Sequence, residues 1–214
     1  MNEIESFNSR ETAKLLGVNV STIKRWTDSG ILKCSKTAGG HRKFLMTHIA
    51  DFVENNQSKI GKIQTFPLES EQDLQLGYQI MQSNYEYLTN YLKQQALAPN
   101  RQRVQYVLNG LYLANHPLYS IYDHVVAPAL REIGQMWASN IISVSEEHLA
   151  SQTIKDAIIR LQGIINLPEK RLGIVLCMNL KDEMHDIPLK MVDHVLEIRG
   201  YKVLNSGQNT PTDN

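Results

Sequence analysis

Between Glu69 and Ile165 apolar residues recur at helical spacing through four stretches, roughly 70–95, 101–115, 118–138 and 144–165. They are broken at Ala98-Pro99-Asn100, at His116-Pro117 and across Ser139–Ser143. Helices this long joined by breaks this short fold back on their neighbours, so the pattern predicts an antiparallel four-helix bundle over 69–167. Ser143-Val144-Ser145-Glu146 has the spacing of a capping box and marks where the last helix starts. No apolar run reaches the ~18 residues of a membrane span, which argues against a membrane partner. Met1 to Thr12 lacks the basic start and apolar stretch of a secretory leader, and the two cysteines, Cys34 and Cys177, stand in unrelated contexts. Both read as reduced thiols in a cytoplasmic protein.

Ahead of the bundle the composition changes sign. Residues 1–62 hold ten Lys or Arg against six Asp or Glu, while 63–214 hold twelve against sixteen, and the two halves cancel to a formal charge of zero. A basic head on an acidic body suits a partner that presents phosphates to one end. Within the head, Ser9 is placed to cap a helix with Ala13, Leu15 and Leu16 on its apolar face, ended by Gly17. Asn19 or Ser21 then caps a second helix in which Val20, Ile23 and Trp26 share a face. Two short helices across Gly17-Val18-Asn19 make a helix-turn-helix, whose second helix is sized for the major groove. Lys33 to Phe44, turning at Gly39-Gly40, predicts a β-hairpin wing with a cationic tip, and 47–54 a third helix that packs Ile49, Phe52 and Val53 beneath it.

This run, SRETAKLLGVNVSTIKRWTDSGIL followed by GGHRKF, resembles the winged helix-turn-helix of the MerR family over residues 1–55. The resemblance implies a transcriptional regulator, a repressor in particular, that binds double-stranded promoter DNA. It puts Ser21, Thr22, Lys24, Arg25 and Trp26 of the second helix, and His41, Arg42 and Lys43 of the wing, at the DNA. Trp26 also fits a core role. Residues 56–68, polar with Gly61 and Pro67, read as a linker.

Past the bundle, 171–179 has the apolar character of a buried strand, 187–199 is an amphipathic helix, and 200–207 is a second strand. That order is a βαβ unit, the opening of a Rossmann-like domain over 168–214. The fold class is therefore multidomain and mainly α: winged helix-turn-helix, four-helix bundle, and the first βαβ part of an α/β domain. Trp137 stands nine intervening residues ahead of Glu147-His148, and the loop between returns the chain to the same pole of the bundle. An aromatic, a carboxylate and an imidazole there suit one ligand, or else plug the bundle end and serve the helix start.

Glu183-x-His185-x-x-Pro188, at the carboxyl end of the first strand, resembles the cobalamin-binding motif acidic-x-His-x-x-Gly, with Pro188 in the place of glycine. Together with Trp137, Glu147 and His148, it makes the whole chain similar to the light-dependent MerR regulators of the CarH and LitR kind. The resemblance implies His185 as the axial ligand of cobalt, Glu183 or Asp186 as its orienting carboxylate, and an adenosyl group of adenosylcobalamin against Trp137. It further implies a homo-oligomer, dimer or tetramer, and a light sensor. The later strands of the cofactor domain, with the family's elements for the nucleotide tail of cobalamin, are not in the chain, which reads as a fragment of a longer protein. Ala138 stands where relatives that form a second protein ligand to cobalt carry His. Two other functions fit the same residues: a cofactor-independent repressor whose bundle serves oligomerisation or an antagonist protein, and a corrinoid carrier for a methyltransferase. None of the readings makes the chain an enzyme in its own right.

Overall fold

A computed structural model describes residues 6–56 and 70–210; apart from Asn56, the expected linker lies outside the described residues. The chain divides into two compact units, Met1–Leu88 and Thr89–Asn214.

The first unit opens with a strand that the sequence reading did not foresee, β1 (Ser6–Asn8). It leads straight into α1 (Ser9–Leu15), and the cap is Asn8, not Ser9. The Asn8 side chain accepts from the amides of Arg10 at 2.8 Å and Glu11 at 3.0 Å, while the Asn8 amide donates to the Glu11 carboxylate at 2.7 Å. Gly17 ends the helix in the left-handed region at φ 65°, open to glycine without penalty. After α2 (Val20–Asp28) come β2 (Ser35–Lys36) and β3 (Arg42–Leu45), which with β1 form an antiparallel sheet in the order β1-β3-β2. Phe7 lies opposite Phe44. These two rings and Leu15, Leu16, Ile23, Leu32 and Ile49 are buried to 1% exposure or less, the last on α3 (Met46–Asn55).

The predicted helix over 70–95 is two helices. The chain turns between α4 (Glu71–Met81) and α5 (Tyr85–Leu97), with Ser83 at φ 56° and the Asn84 amide group donating to Gln79 Oε1 at 2.8 Å. No Gly or Pro punctuates this turn, so periodicity ran through it. Helix α4, expected in the bundle, belongs to the first unit: it packs on α3, and Tyr78 sets its ring edge-on to Phe7 at 5.2 Å.

In the second unit the bundle comprises α5 from Thr89 onward, α6 (Arg101–Leu113), a long third helix and α9 (Val144–Leu161). The third helix begins as α7 (Leu118–Ile121), widens through a π turn at Tyr122–Val126 and continues as α8 (Ala127–Ala138). Pro128 explains the widening. It has no N–H to give the His124 carbonyl four residues back, and that carbonyl accepts from Thr89 Oγ1 at 2.9 Å instead. Val104, Val107, Leu108, Ile133, Ile154 and Ile158 fill the interior. The capping box is present, with Ser143 Oγ accepting from the Glu146 amide at 3.2 Å and the Ser143 amide donating to Glu146 at 2.7 Å.

The strands β4 (Gly173–Cys177) and β5 (Tyr201–Asn205) pair in parallel, Val175 opposite Val203, around α10 (Ile187–Ile198). The expectation of a buried β4 is corrected. Cys177 faces α10, whereas Ile174 and Leu176, on the other face, are 67% and 57% exposed because two strands and one helix cover a single side.

Candidate functional site

On the head, Ser21, Lys24 and Arg25 project from the exposed side of α2, with Thr22 half-buried beside them. Trp26 does not join them. It is 7% exposed and lies against Phe52 of α3 with ring centroids 4.8 Å apart, so its expected place at DNA is corrected to one in the core. The wing turns through Thr37–Gly40, where the Gly40 amide donates to the Thr37 carbonyl at 2.8 Å and Gly40 takes φ 77°. His41 is exposed and Lys43 half-exposed. Among the described residues, Lys24, Arg25 and Lys43 form no ion pair within 4.0 Å, which leaves them available to phosphates. Arg42 is engaged: its Nη2 donates to Asp28 Oδ1 at 2.6 Å.

In the second unit the bundle pole and the β4–α10 loop share one cleft of about 670 Å³. One wall carries Trp137, Glu147 and His148; the opposite wall carries His185 and Asp186. Five of the six residues expected at the cofactor are thus brought together. Glu183 is not on the lining but holds the sixth place through His185, whose Nδ1 and backbone amide both donate to Glu183 Oε1 at 2.7 Å. Those two bonds hold the Glu183 carboxyl below the usual carboxylate range. The tautomer follows. A carboxylate only accepts, so in the neutral ring Nδ1 carries the proton and Nε2 has the lone pair, on a side chain 87% exposed. His148 is oriented the same way, with Nδ1 donating to the Val144 carbonyl at 2.8 Å and lying 2.9 Å from Glu147. The second carboxylate oxygen of Glu147 accepts from Ser151 Oγ at 2.7 Å.

Sequence reasoning missed several members. Ser151 and Lys155 follow Glu147 at intervals of four on α9, and Leu130 and Gly134 precede Trp137 at seven and three on α8, so helical spacing alone carried the signal. Lys155 Nζ bridges to Asp186 at 2.5 Å and ties α9 to the start of α10. Deeper between the same two parts, Tyr122 Oη lies 2.7 Å from His194 Nδ1, both buried. Asp193 and His194, polar as they are, are the two most buried residues of α10.

The donor set can be tested against a metal. A metal ion held by protein alone takes three or four ligands, and the described residues contain no cluster of three among His, Cys, Asp and Glu. One carboxylate-oriented imidazole beside a roomy cleft fits a metal that brings most of its own ligands, as a corrinoid's cobalt does.

Two family models match the chain: a helix-turn-helix domain over residues 7–57 and a B12 binding domain over 89–162. The chain joins a helix-turn-helix domain to a B12 binding domain. The B12 match takes in Trp137, Glu147 and His148 and ends before Glu183, His185 and Asp186. In an alignment that covers 94% of its length and 70% of the relative's, the chain is 25% identical to the HTH-type transcriptional repressor CarH of Myxococcus xanthus. Over nearly all of its length the chain is CarH-like. A solved structure, the methanol:cobalamin methyltransferase complex MtaBC from Methanosarcina barkeri, aligns at a TM-score of 0.34 and 16% identity over 58% of this chain. The aligned part spans about half of that protein, 48%. No helix among the described residues is long and apolar enough to cross a membrane.

Proposed function

We propose that the chain is a transcriptional repressor whose hold on promoter DNA is controlled by cobalamin. The observation that carries this is the convergence of Trp137, Glu147 and His148 with His185 and Asp186 on one cleft, in a chain whose other end bears free cations on a helix-turn-helix. His185 Nε2 would hold the cobalt, with Glu183 fixing its tautomer and strengthening it as a base. Trp137 and Glu147 face the opposite side, where stacking and hydrogen bonding suit an adenosyl group. When bound, adenosylcobalamin supplies a cobalt–carbon bond that visible light breaks. Trp137 and Glu147 would hold the adenosyl group, and the packing of α8 and α9 against the β4–α10 loop would depend on whether it is bound. The protein works in the cytoplasm as a homo-oligomer, dimer or tetramer, and catalyses nothing.

Absorption spectra of the full chain with hydroxocobalamin and with adenosylcobalamin test the cleft. Wild type is expected to give the spectrum of an imidazole-ligated cobalt, His185→Ala to lose it, and Glu183→Ala to weaken binding roughly 10- to 100-fold. A His185→Ala spectrum identical to wild type would show that another group ligates cobalt. Size exclusion and DNA shift, dark and illuminated, test the control; equal behaviour in both leaves cofactor binding without light sensing.

At the head, Lys24→Ala and Arg25→Ala are each expected to lower the slope of log K against log salt by roughly one unit, since each removes one phosphate contact. Unchanged slopes in both would move the DNA face elsewhere.

A further inference from the structure

We infer that Arg42 is a positioning residue that fastens the wing to the end of the recognition helix, so that Asp28, an acid on a cationic face, strengthens DNA binding. The inference rests on the reading of the head as a DNA-binding domain.

The wing needs an anchor. Strand β1 pairs with β3 only from Leu45 to Lys43, where Asn8 is the last partner, so Arg42 lies one residue beyond its cover. On the other side β2 offers two register pairs, Ser35 with Lys43 and Lys36 with Arg42. A two-residue ladder does not by itself fix the direction of a hairpin. The Arg42 side chain supplies the fixing contact. It is only 21% exposed, its Nη2 reaches Asp28 Oδ1 at 2.6 Å, and its Nε is buried with no partner. Asp28 is the last residue of α2, at the opposite end of the helix from Ser21 and Thr22, and is 65% exposed. A half-buried guanidinium already paired with a carboxylate is poorly placed to take a phosphate, unlike Lys24, Arg25 and Lys43.

Function follows from linkage of two contacts. Helix and wing are two binding elements on one body, and the second engages at high effective concentration only while the first holds it in register. A wing that swings must be ordered at binding, which costs affinity without removing any phosphate contact. The charge of Asp28 gives the opposite expectation if it is a bystander: neutralising an acid near a polyanion tightens binding.

The test uses the full chain and a duplex selected from random sequence by the wild type. Asp28→Asn and Arg42→Ala are each expected to weaken binding roughly three- to tenfold with the salt slope unchanged, and the double variant to be no weaker than either single one. Lys24→Ala, by contrast, lowers the slope. Tighter or equal binding by Asp28→Asn overturns the inference, as does an Arg42→Ala slope reduced like that of Lys24→Ala. Amide exchange without DNA provides the second arm. The Thr37 amide, bonded to the His41 carbonyl at 2.9 Å, exchanges faster in Asp28→Asn if Arg42 anchors the wing, and unchanged exchange overturns the anchor. A wild type that selects no duplex defeats the DNA reading, while the exchange arm still decides the anchor.

Discussion

Replacing Trp26 by alanine is expected to destabilise the first unit by about 3–5 kcal/mol, because the buried indole packs against Phe52 and its removal leaves a cavity. A loss of that size is a large part of a small unit's stability. DNA binding then falls through unfolding of the head and not through a lost contact. Trp26→Phe, which keeps an aromatic ring at the site, retains most of the stability. Amide exchange of α1 to α3 in the full chain separates the two cases: protection drops throughout those helices in Trp26→Ala and stays at the wild-type level in Lys24→Ala. A Trp26→Ala chain with wild-type protection and weakened DNA binding would return Trp26 to the DNA face.

The second unit is expected to lose about 3 kcal/mol of stability as pH falls from 6.5 to 4, beyond what its carboxylates contribute. Burial, with the Lys190 charge as the lesser cause, lowers the His194 imidazole from 6.5 to about 4. The sign follows from which state takes the proton. Below pH 6.5 the unfolded chain protonates His194 while the folded chain does not until about pH 4, so the stability present above 6.5 is spent across that window. The groups facing His194 are the Tyr122 phenol, which burial keeps protonated, and on its own helix Lys190 and Asp193. Denaturant midpoints measured from pH 7 to 4.5 check this. His194→Gln, which keeps a partner for Tyr122, should show the shallower slope, and parallel slopes in the two proteins would mean that another group governs acid stability.

Both predictions concern residues whose role the sequence left open or hid, and the reason is the same. Pattern reading finds elements from the spacing of apolar residues, and it found the turn, wing and bundle because those are built that way. Trp26 satisfied the helical face and the recognition motif equally, and only the ring of Phe52, 26 positions further on, decides between them. Asp193 and His194 are polar residues of an amphipathic helix, and their burial depends on Asn205, Cys177 and Tyr122, which local spacing does not link to them. The cleft was the better-resolved case. Trp137, Glu147 and His148 were legible together through their spacing, His185 joined them through the resemblance to the cobalamin-binding motif, and the members that escaped, Ser151 and Lys155 among them, sit one helical turn at a time from residues already named. The division of α4 from α5 left no mark, since Ser83 takes up the left-handed turn without a glycine.

The π turn at Tyr122–Val126 sets the phase of everything that follows it on the same helix. A helix advances about 100° per residue, so a turn that accommodates one extra residue rotates the downstream face by that angle relative to an uninterrupted α-helix. At the start of the bulge stands Tyr122, hydrogen-bonded to His194 of α10; downstream lie Leu130, Gly134 and Trp137, which line the cleft. Pro128 holds the bulge in place, and the angular register between the α10 contact and the Trp137 wall is thereby written into the backbone. Straightening the turn into α geometry would swing Trp137 about a quarter of a revolution around the helix axis while leaving Tyr122 where it is.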